Sequence, residues 1–445
     1  MSVLISRILH AGYIFEHDNV KIVFDPIFEN PFSVNNYAFP DVQFDLLQIQ
    51  QQKWDAVFIS HYHDDHCSLT SLNHIDRRVP IYMYCVHDEF FALVTALGFR
   101  SVRALRLNEA ICVGGFEVIP RPALDRDIDS VLHIKVDGHN ILNVVDSWID
   151  PETMSLLKNE RSWDVVLWPF QTMRELEVLS PRRATAATGL IPHEWVAQLQ
   201  ALNPRIVVPS SCQFIQETWS WYRQAFFPIS YRSFARQVHA FLPSTQIVRL
   251  NPSRSIRLSE NHFALGPSLD WLRIVGAENG DYEYQANVIV PSTSEIAKKF
   301  AALSEDHEDY VYHYCQCLLA GRINEIDPFE DPYFQSSRFW CLRVYDHNGH
   351  ARSFYYHIHK GQVVSVDSVA GPLGWLTEIP LARLYGALVN GESLTSLYVR
   401  INDMVFAAEI EKDIQSVDIL QDPLLCGLFN RTVSSYQQAQ LRHLK

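Results

Sequence analysis

Three histidines and two aspartates lie within six positions of the stretch FISHYHDDHC, which spans residues 58–67. His61, His63 and His66 supply imidazoles, and Asp65 supplies a carboxylate among them. A loop that leaves a strand can aim side chains at this spacing toward one point, and imidazole combined with carboxylate suits Zn, Fe or Mn. A polar loop with incidental histidines is the simpler interpretation, but the spacing favours a metal site.

Short apolar runs must position this loop, and five of them occur in the first 250 residues. They are VKIVF (20–24), DAVFIS (55–60), NILNVV (140–145), WDVVLW (163–168) and RIVVPS (205–210). Such runs are typical of buried strands. The stretch PHEWVAQLQAL (192–202) has apolar residues at helical spacing behind a proline and predicts an amphipathic helix. We therefore expect an α/β domain in which His61, Asp146 and Ser211 follow strands at one sheet edge, where ligands bind.

The pattern changes at about residue 263, where Gly, Pro and Asn precede a helical stretch at 294–321. Strand-like segments FWCLRVYD (339–346) and ARSFYYHIHKGQVVSV (351–366) come next, followed by a helix-like PLARLYGALVNG (380–391). We predict two domains, residues 1–262 and a smaller α+β domain at 263–445 that helps to form a substrate pocket.

The charge balance limits the classes of partner. With 37 Lys and Arg against 51 Asp and Glu, the net charge is −14, which argues against a nucleic-acid partner. No apolar run reaches about 18 residues, so we expect no membrane insertion. Eight cysteines in 445 residues are too few for a disulfide scaffold. These features predict a soluble cytoplasmic protein.

The residues of the loop spell H-x-H-x-D-H, and the chain thereby resembles the metallo-β-lactamase superfamily. Further stretches resemble it in the same order: HAGYIFEHDNVKIVFDP (10–26), HNILNVVDSW (139–148) and LNPRIVVPSSCQF (202–214). The resemblance covers roughly residues 1–255 and implies an αβ/βα four-layer sandwich. It further implies one or two divalent metal ions (Zn, Fe or Mn) held by His61, His63, Asp65, His66 and a bridging Asp146. Within the superfamily, the chain looks most like the β-lactamase-like domain of CMP-N-acetylneuraminate hydroxylase and the ascorbate-phosphate lactonase group.

Two histidines that usually complete such a site are missing from their expected places. The segment VIPRPALDRDIDSVLHI (118–134) offers aspartates where the third histidine should fall, and we choose Asp125 as the replacement ligand, leaving Asp129 to the turn. The segment VVPSSCQF (207–214) offers Ser211 or Cys212 in place of the last histidine. A carboxylate in place of an imidazole favours a harder metal such as Fe or Mn over Zn. His10 suits a position at the rim of the site or a structural role equally well.

The substrate side of the site is less defined by sequence. The stretch LWPFQTMRE (167–175) follows a strand, and we expect Gln171, Arg174 and Ser211 to contact a small-molecule substrate. A solvated charged turn is the alternative interpretation of this stretch. The C-terminal domain resembles the sterol-carrier-like domains of some alkylsulfatases of the superfamily, through one helix and two strands.

Three functions fit these residues. The first is a metal-dependent hydrolase of an ester, lactone or phosphodiester, in which Asp65 is both ligand and proton acceptor. The second is a non-haem diiron oxygenase, which would need an electron-donor protein because the sequence shows no iron–sulfur ligands or nucleotide-binding fingerprint. The third is a degenerate metal- or ligand-binding module that kept the fold. The hydrolase requires fewer unseen parts than the oxygenase.

Overall fold

The computed structural model describes residues 2–260, 262–325, 331–429 and 433–445. The apolar runs of the first half form buried strands, among them Val20–Phe24, Ala56–Ile59 and Val165–Trp168. Their side chains alternate between the two sheet faces because successive residues of a strand point in opposite directions. The predicted helix is also confirmed, over His193–Leu202.

The first sheet has eight strands. In spatial order they are His262–Leu265, Ser255–Ser259, Val3–Arg7, Tyr13–His17, Val20–Phe24, Ala56–Ile59, Ile81–Met83 and Val102–Ala104. Antiparallel pairing holds the strands from His262–Leu265 to Val20–Phe24, and the remaining strands pair in parallel. The parallel half brings the carboxyl ends of its strands to one edge of the sheet.

The second sheet has seven strands and packs on the first. In spatial order they are Gln246–Ile247, Ile206–Pro209, Val165–Trp168, His139–Asn143, Ser130–Val136, Phe116–Pro122 and Ile111–Val113. One core cluster joins the facing sides of the two sheets, with Phe15, Phe24 and Phe58 from the first and Leu132 and Ile141 from the second. The opposite faces belong to a second cluster that they share with helices. The predicted four-layer α/β sandwich is therefore confirmed.

Helices cover the outer faces of both sheets. In the first 260 residues they are Leu46–Gln50, Leu69–Leu72, Asp88–Ala96, Pro151–Leu157, Glu175–Leu179, His193–Leu202, Tyr222–Ala225 and Tyr231–Phe241. Two short two-stranded sheets complete this part, Phe214–Ile215 with Tyr37–Ala38 and Leu272–Ile274 with Val42–Phe44.

The C-terminal part builds a separate five-stranded sheet. Its spatial order is Gln362–Val366, Ala351–His359, Arg338–Tyr345, Leu373–Pro380 and Arg400–Ile401. The α-helices there are Thr293–Ala297, Glu305–His313, Leu319–Asn324, Pro332–Gln335, Leu381–Asn390, Leu394–Leu397, Ala408–Ile414, Pro423–Phe429 and Ser435–Leu444, with a π-helical turn at Tyr314–Leu318 and a 3₁₀ turn at Ile419–Gln421. The α+β character expected for this part is confirmed. The boundary at 262/263 stays a prediction, because an edge strand of the first sheet, His262–Leu265, runs across it.

The described residues include no helix that is both long enough and apolar enough to cross a lipid bilayer.

Candidate metal centre

The histidine loop follows the buried strand Ala56–Ile59. Within it, the backbone N–H groups of His66 and Cys67 both donate to the carbonyl of His63, at 3.0 and 2.8 Å. This tight turn directs the side chains of the loop back toward the edge of the sheet. Ser68 then caps the helix Leu69–Leu72 with its side-chain oxygen, which fixes the exit of the loop.

Two groups of potential metal ligands meet at this edge. One contains His61, His63 and Asp129, and the other contains His10, Asp65, His66 and Asp146, with the ligand atoms of each group within 4.8 Å of one another. His61 Nε2 lies 3.0 Å from His63 Nδ1, and His66 Nε2 lies 3.1 Å from Asp146 Oδ2. Asp146 Oδ1 is also 3.9 Å from His61 Nε2, so this carboxylate lies between the two groups. The structure thus brings together all five residues that carry the sequence resemblance.

Asp25 orients two of the imidazoles from behind. Its fully buried carboxylate accepts hydrogen bonds from Ser60 N and Ser60 Oγ, both at 2.7 Å, and from His66 Nδ1 at 3.1 Å. Because Ser60 Oγ donates to Asp25, it accepts from His61 Nδ1, which lies 3.0 Å away. Both histidines therefore carry a proton on Nδ1 and turn Nε2 toward the site. Metal-binding histidines usually donate their other ring N–H to a carboxylate or another acceptor in this way. Burial opposes the charge of His66, but the Asp146 and Asp65 carboxylates raise its pKa well above the usual value, so a metal ion at Nε2 would displace a proton there.

His10 enters the second group from the turn between the first two strands. Its backbone has a positive φ of 49°, and Arg7, which is buried, donates to the His10 carbonyl at 2.5 Å and to the Pro209 carbonyl at 2.8 Å. Gly12 is required in this turn, because a Cβ there would lie 2.8 Å from the Asp25 carbonyl oxygen. Arg7 thus ties the turn to the end of a strand in the second sheet.

The segment in which the sequence lacks the expected last histidine contacts His10 of this turn. The backbone N–H of Cys212 donates to His10 Nδ1 at 3.1 Å, and His10 Nε2 lies 3.1 Å from Asp65 Oδ2. A backbone N–H can only donate, so neutral His10 keeps its proton on Nε2 and donates it to Asp65. His10 would have to release that proton before it could bind a metal ion directly.

Asp129, and not Asp125, lies with His61 and His63 in a candidate ligand group. Asp125 is exposed and lies in neither ligand group. Its carbonyl accepts from Asp129 N at 2.8 Å, and its side chain accepts from Asp127 N at 3.2 Å, so it closes its own turn. That turn carries Asp129 to within 3.7 Å of His61 Nε2. The roles that we expected for the two aspartates are exchanged.

Two of the residues predicted to contact substrate, Ser211 and Gln171, instead hydrogen-bond with the backbone. Ser211 is fully buried and donates to the Val145 carbonyl at 2.5 Å, which supports the turn before Asp146. Gln171 hydrogen-bonds with the backbone of Ile229. None of these contacts leaves Ser211 or Gln171 facing a substrate.

Arg174 is also directed elsewhere, because it pairs with Glu177 at 2.9 Å and donates to the Thr185 carbonyl at 2.8 Å. Its neighbour Glu175 instead lines the cavity that opens beside the two ligand groups. Substrate contact by Arg174, as by Gln171 and Ser211, therefore stays a prediction that these contacts do not support.

That cavity has a volume of about 220 Å³. His63, Asp65 and Asp146 lie at its base. Its apolar walls are Met173, Val178, Leu179, Phe214, Phe226 and Leu394, of which Leu394 comes from the C-terminal part together with Ser393 and Thr395. The two parts of the chain therefore build this cavity jointly.

The C-terminal helix Ser435–Leu444 holds the histidine loop in place. Gln437 Nε2 donates to the carbonyls of Tyr62 and Cys67, both at 3.0 Å, so one amide spans the loop. Gln440 Oε1 accepts from Leu69 N at 2.8 Å in the helix that follows. The sequence offered no signal for these contacts, because the partners are more than 360 positions apart.

The electrostatics of the site call for a cation. Burial lowers the pKa of His61 well below its usual value, which favours the neutral imidazole that a metal ion binds. Burial, together with the nearby Asp146 carboxylate, raises the pKa of Asp129 to about 7. Burial opposes the charge of Asp65, but the neighbouring His66 and His10 hold the pKa of that carboxyl below its usual range. Three carboxylates this close repel one another, and a divalent ion would relieve that repulsion.

The donor set also fits a metal. Asp146 Oδ1 is buried and has no hydrogen-bond partner among the described residues. The Nε2 atoms of His61 and His66 face the same space, because Asp25 and Ser60 hold the Nδ1 side of each ring. The residues present therefore suit one or two divalent ions, bound through nitrogen and oxygen.

Residues 5–211 match the family described as the beta-lactamase superfamily domain. The superfamily assignment made from the sequence is confirmed, while the likeness to the hydroxylase and lactonase groups within it stays a prediction. No curated protein matches the chain in sequence.

Several solved structures are similar to part of the chain. A metallo hydrolase from the archaeon Ignicoccus hospitalis shares 16% identity at a TM-score of 0.41, covering 59% of this chain and 100% of its own. A possible metal-dependent hydrolase from Veillonella parvula shares 12% identity at 0.41, covering 58% of this chain and 100% of its own. CmlA, a diiron β-hydroxylase from Streptomyces venezuelae, shares 15% identity at 0.38, covering 58% of this chain and 54% of its own.

Proposed function

We propose that the protein is a metal-dependent hydrolase that cleaves an ester, lactone or phosphodiester. The observation that carries this proposal is the pair of adjacent ligand groups, with Asp146 between them, at the base of a cavity. Divalent ions bound by these residues would lower the pKa of a bound water and polarise the scissile group. His61, His63 and Asp129 would hold one ion, and Asp65, His66 and Asp146 the other.

The residues of the chain supply orientation and proton handling. Asp65 accepts a hydrogen bond from His10 Nε2 at 3.1 Å, which fixes one carboxylate oxygen. The other oxygen stays available to a ligand or to a proton from water. The apolar walls of the cavity exclude bulk water, which strengthens electrostatic interactions inside it. His10 holds a proton at Nε2 beside the cavity base.

A second candidate function is a non-haem iron oxygenase. His61, His63 and Asp129 form a group of two histidines and one carboxylate, the donor set typical of non-haem Fe(II) oxygenases. This reaction would need dioxygen and an electron-donor protein as a partner.

One experiment separates the two functions. Protein loaded with zinc or manganese is incubated anaerobically with an ester, a lactone and a phosphodiester. The hydrolase predicts cleavage without oxygen, and Asp65→Asn should lower kcat at least tenfold while KM changes less than threefold, because Asp65 acts on the reacting water and not on the substrate body. Cleavage absent anaerobically, with oxygen uptake by the ferrous protein in the presence of a reductant and substrate, would establish the oxygenase instead.

A further inference from the structure

The cavity beside the ligand groups is lined by carboxylates that no lysine or arginine among its described lining residues balances. Glu175 lines it, belongs to neither ligand group, and has no hydrogen-bond or ion-pair partner among the described residues. Asp64 lines the same cavity and is likewise outside both groups. Among the described residues, no lysine or arginine lines the cavity. The nearby Arg174 pairs with Glu177 and donates to the Thr185 carbonyl.

This arrangement disfavours an anionic substrate body. A phosphate or carboxylate placed against Glu175 would meet a like charge beside apolar walls, where solvent screens charges poorly. A cation at the same place would gain a carboxylate partner without breaking an existing ion pair. Burial and the nearby Asp418 raise the pKa of Glu175, as expected for a carboxylate whose charge lacks a compensating partner.

The size and walls of the cavity limit the rest of the ligand. A volume of about 220 Å³ lies below the roughly 300–1,000 Å³ of sites that hold drug-sized ligands. Six apolar side chains form the walls, including Phe214, Phe226 and Leu394. The part of the substrate that enters is therefore small and mostly hydrocarbon.

We propose that the substrate is a small ester or lactone with an apolar body and an ammonium group, and that Glu175 pairs with that ammonium. The inference rests on the proposed hydrolase function and narrows it, because it excludes phosphodiesters and acyl groups that carry a carboxylate. Glu175 is then a specificity-determining residue on the wall of the cavity, separate from the metal ligands at its base.

Matched esters test the charge preference. The probes are the 4-nitrophenyl esters of β-alanine, butyric acid and glutaric acid, which are cationic, neutral and anionic, and bis(4-nitrophenyl) phosphate serves as the phosphodiester. Rates are taken above those of the metal-free protein. We expect kcat/KM for the β-alanine ester to exceed that for the butyrate ester at least tenfold, with the glutarate ester and the phosphodiester slowest.

Two variants of the full chain test whether Glu175 causes the preference for the cationic ester. Glu175→Gln should reduce the β-alanine to butyrate ratio to below threefold, and Glu175→Lys should favour the glutarate ester. Glu194→Gln is the matched control, because Glu194 also lies in the first turn of a helix but is exposed and outside the cavity. An anionic preference in the wild type, or a ratio unchanged by Glu175→Gln, would overturn the inference and leave the hydrolase intact.

A binding measurement separates the inference from the proposed function. Propylamine and propionate are titrated calorimetrically into the metal-loaded protein, which needs no turnover. If propylamine binds the wild type, and binds the Glu175→Gln variant at least tenfold more weakly, the inference is supported even if every ester stays uncleaved. Equal binding of propylamine to the wild type and to Glu175→Gln, or tighter binding of propionate, would overturn it.

Discussion

Asp25→Asn should weaken metal binding although Asp25 touches no metal ion. In the native chain, Asp25 Oδ1 accepts from Ser60 N, while Oδ2 accepts from Ser60 Oγ and His66 Nδ1. Asparagine must keep its oxygen toward Ser60 N, because a backbone N–H can only donate. Its NH₂ then faces His66 Nδ1, which must accept, so the proton moves to Nε2. His66 then has no Nε2 lone pair for a metal ion unless it gives up its only ring proton.

The expected loss is about 10- to 100-fold in metal affinity, as for other groups that accept a hydrogen bond from a metal-binding histidine. That corresponds to about 1.4–2.8 kcal/mol of binding free energy, since each tenfold change is about 1.4 kcal/mol. The assay is titration of chelator-treated, full-length protein with Zn²⁺ against a competing chromophoric chelator. His61 depends on Asp25 only through Ser60, so the ion at His66 should be lost first.

Asp55→Asn is the matched control. Asp55 lies at the opposite end of the same pair of parallel strands, is exposed, and accepts from Lys21 N at 2.7 Å. Its replacement should leave metal affinity within twofold of the wild type. The reasoning fails if Asp25→Asn also stays within twofold, or if both variants weaken binding equally. Thermal unfolding in excess chelator shows whether either change acts through the fold instead.

Three further predictions follow from the contacts. Asp129→Asn should weaken metal binding at least tenfold, whereas Asp125→Asn should change it less than twofold in the same titration. Gln437→Leu leaves two loop carbonyls without their donor and should lower both metal affinity and the unfolding temperature, whereas Gln438→Leu, which loses only a bond within its own helix, should not. Burial lowers the pKa of His133 to about 4 from about 6.5, so the unfolded chain binds more protons between those values. The free energy of unfolding should therefore fall by up to about 3 kcal/mol as the pH drops through that window, and by clearly less in His133→Gln, as measured by urea unfolding with chelator present.

The strands and the histidine loop were predictable because their signals are local. An apolar run such as VKIVF is enough to predict a buried strand, and the 61–66 loop contains its ligand spacing within six residues. Asp146 was found the same way, directly after a buried strand. The choice between Asp125 and Asp129 depends instead on a turn, in which Asp129 N donates to the Asp125 carbonyl. Two aspartates four positions apart look alike in sequence until that hydrogen bond is known.

His10 shows a second limit, which is distance along the chain. The sequence places it in the first hairpin turn, and nothing local distinguishes a structural histidine from one that reaches Asp65. Its role depends on Cys212, whose backbone N–H approaches Nδ1 from 202 positions away. The segment that lacks the expected last histidine is thus the segment that positions His10. At this last position, the candidate replacement is a residue that contacts the segment, whereas Asp129 lies within the segment where the third histidine was expected.

The same argument extends to the C-terminal part. Gln437 spans the loop that carries four of the candidate metal ligands, and residues 393–395 line the cavity. A domain that held the loop but formed no cavity wall would affect metal affinity alone. A domain that formed a wall but did not hold the loop would affect substrate choice alone. Because this one does both, changes at Gln437 should alter metal binding, whereas changes at Leu394 should alter selectivity among substrates at unchanged metal content.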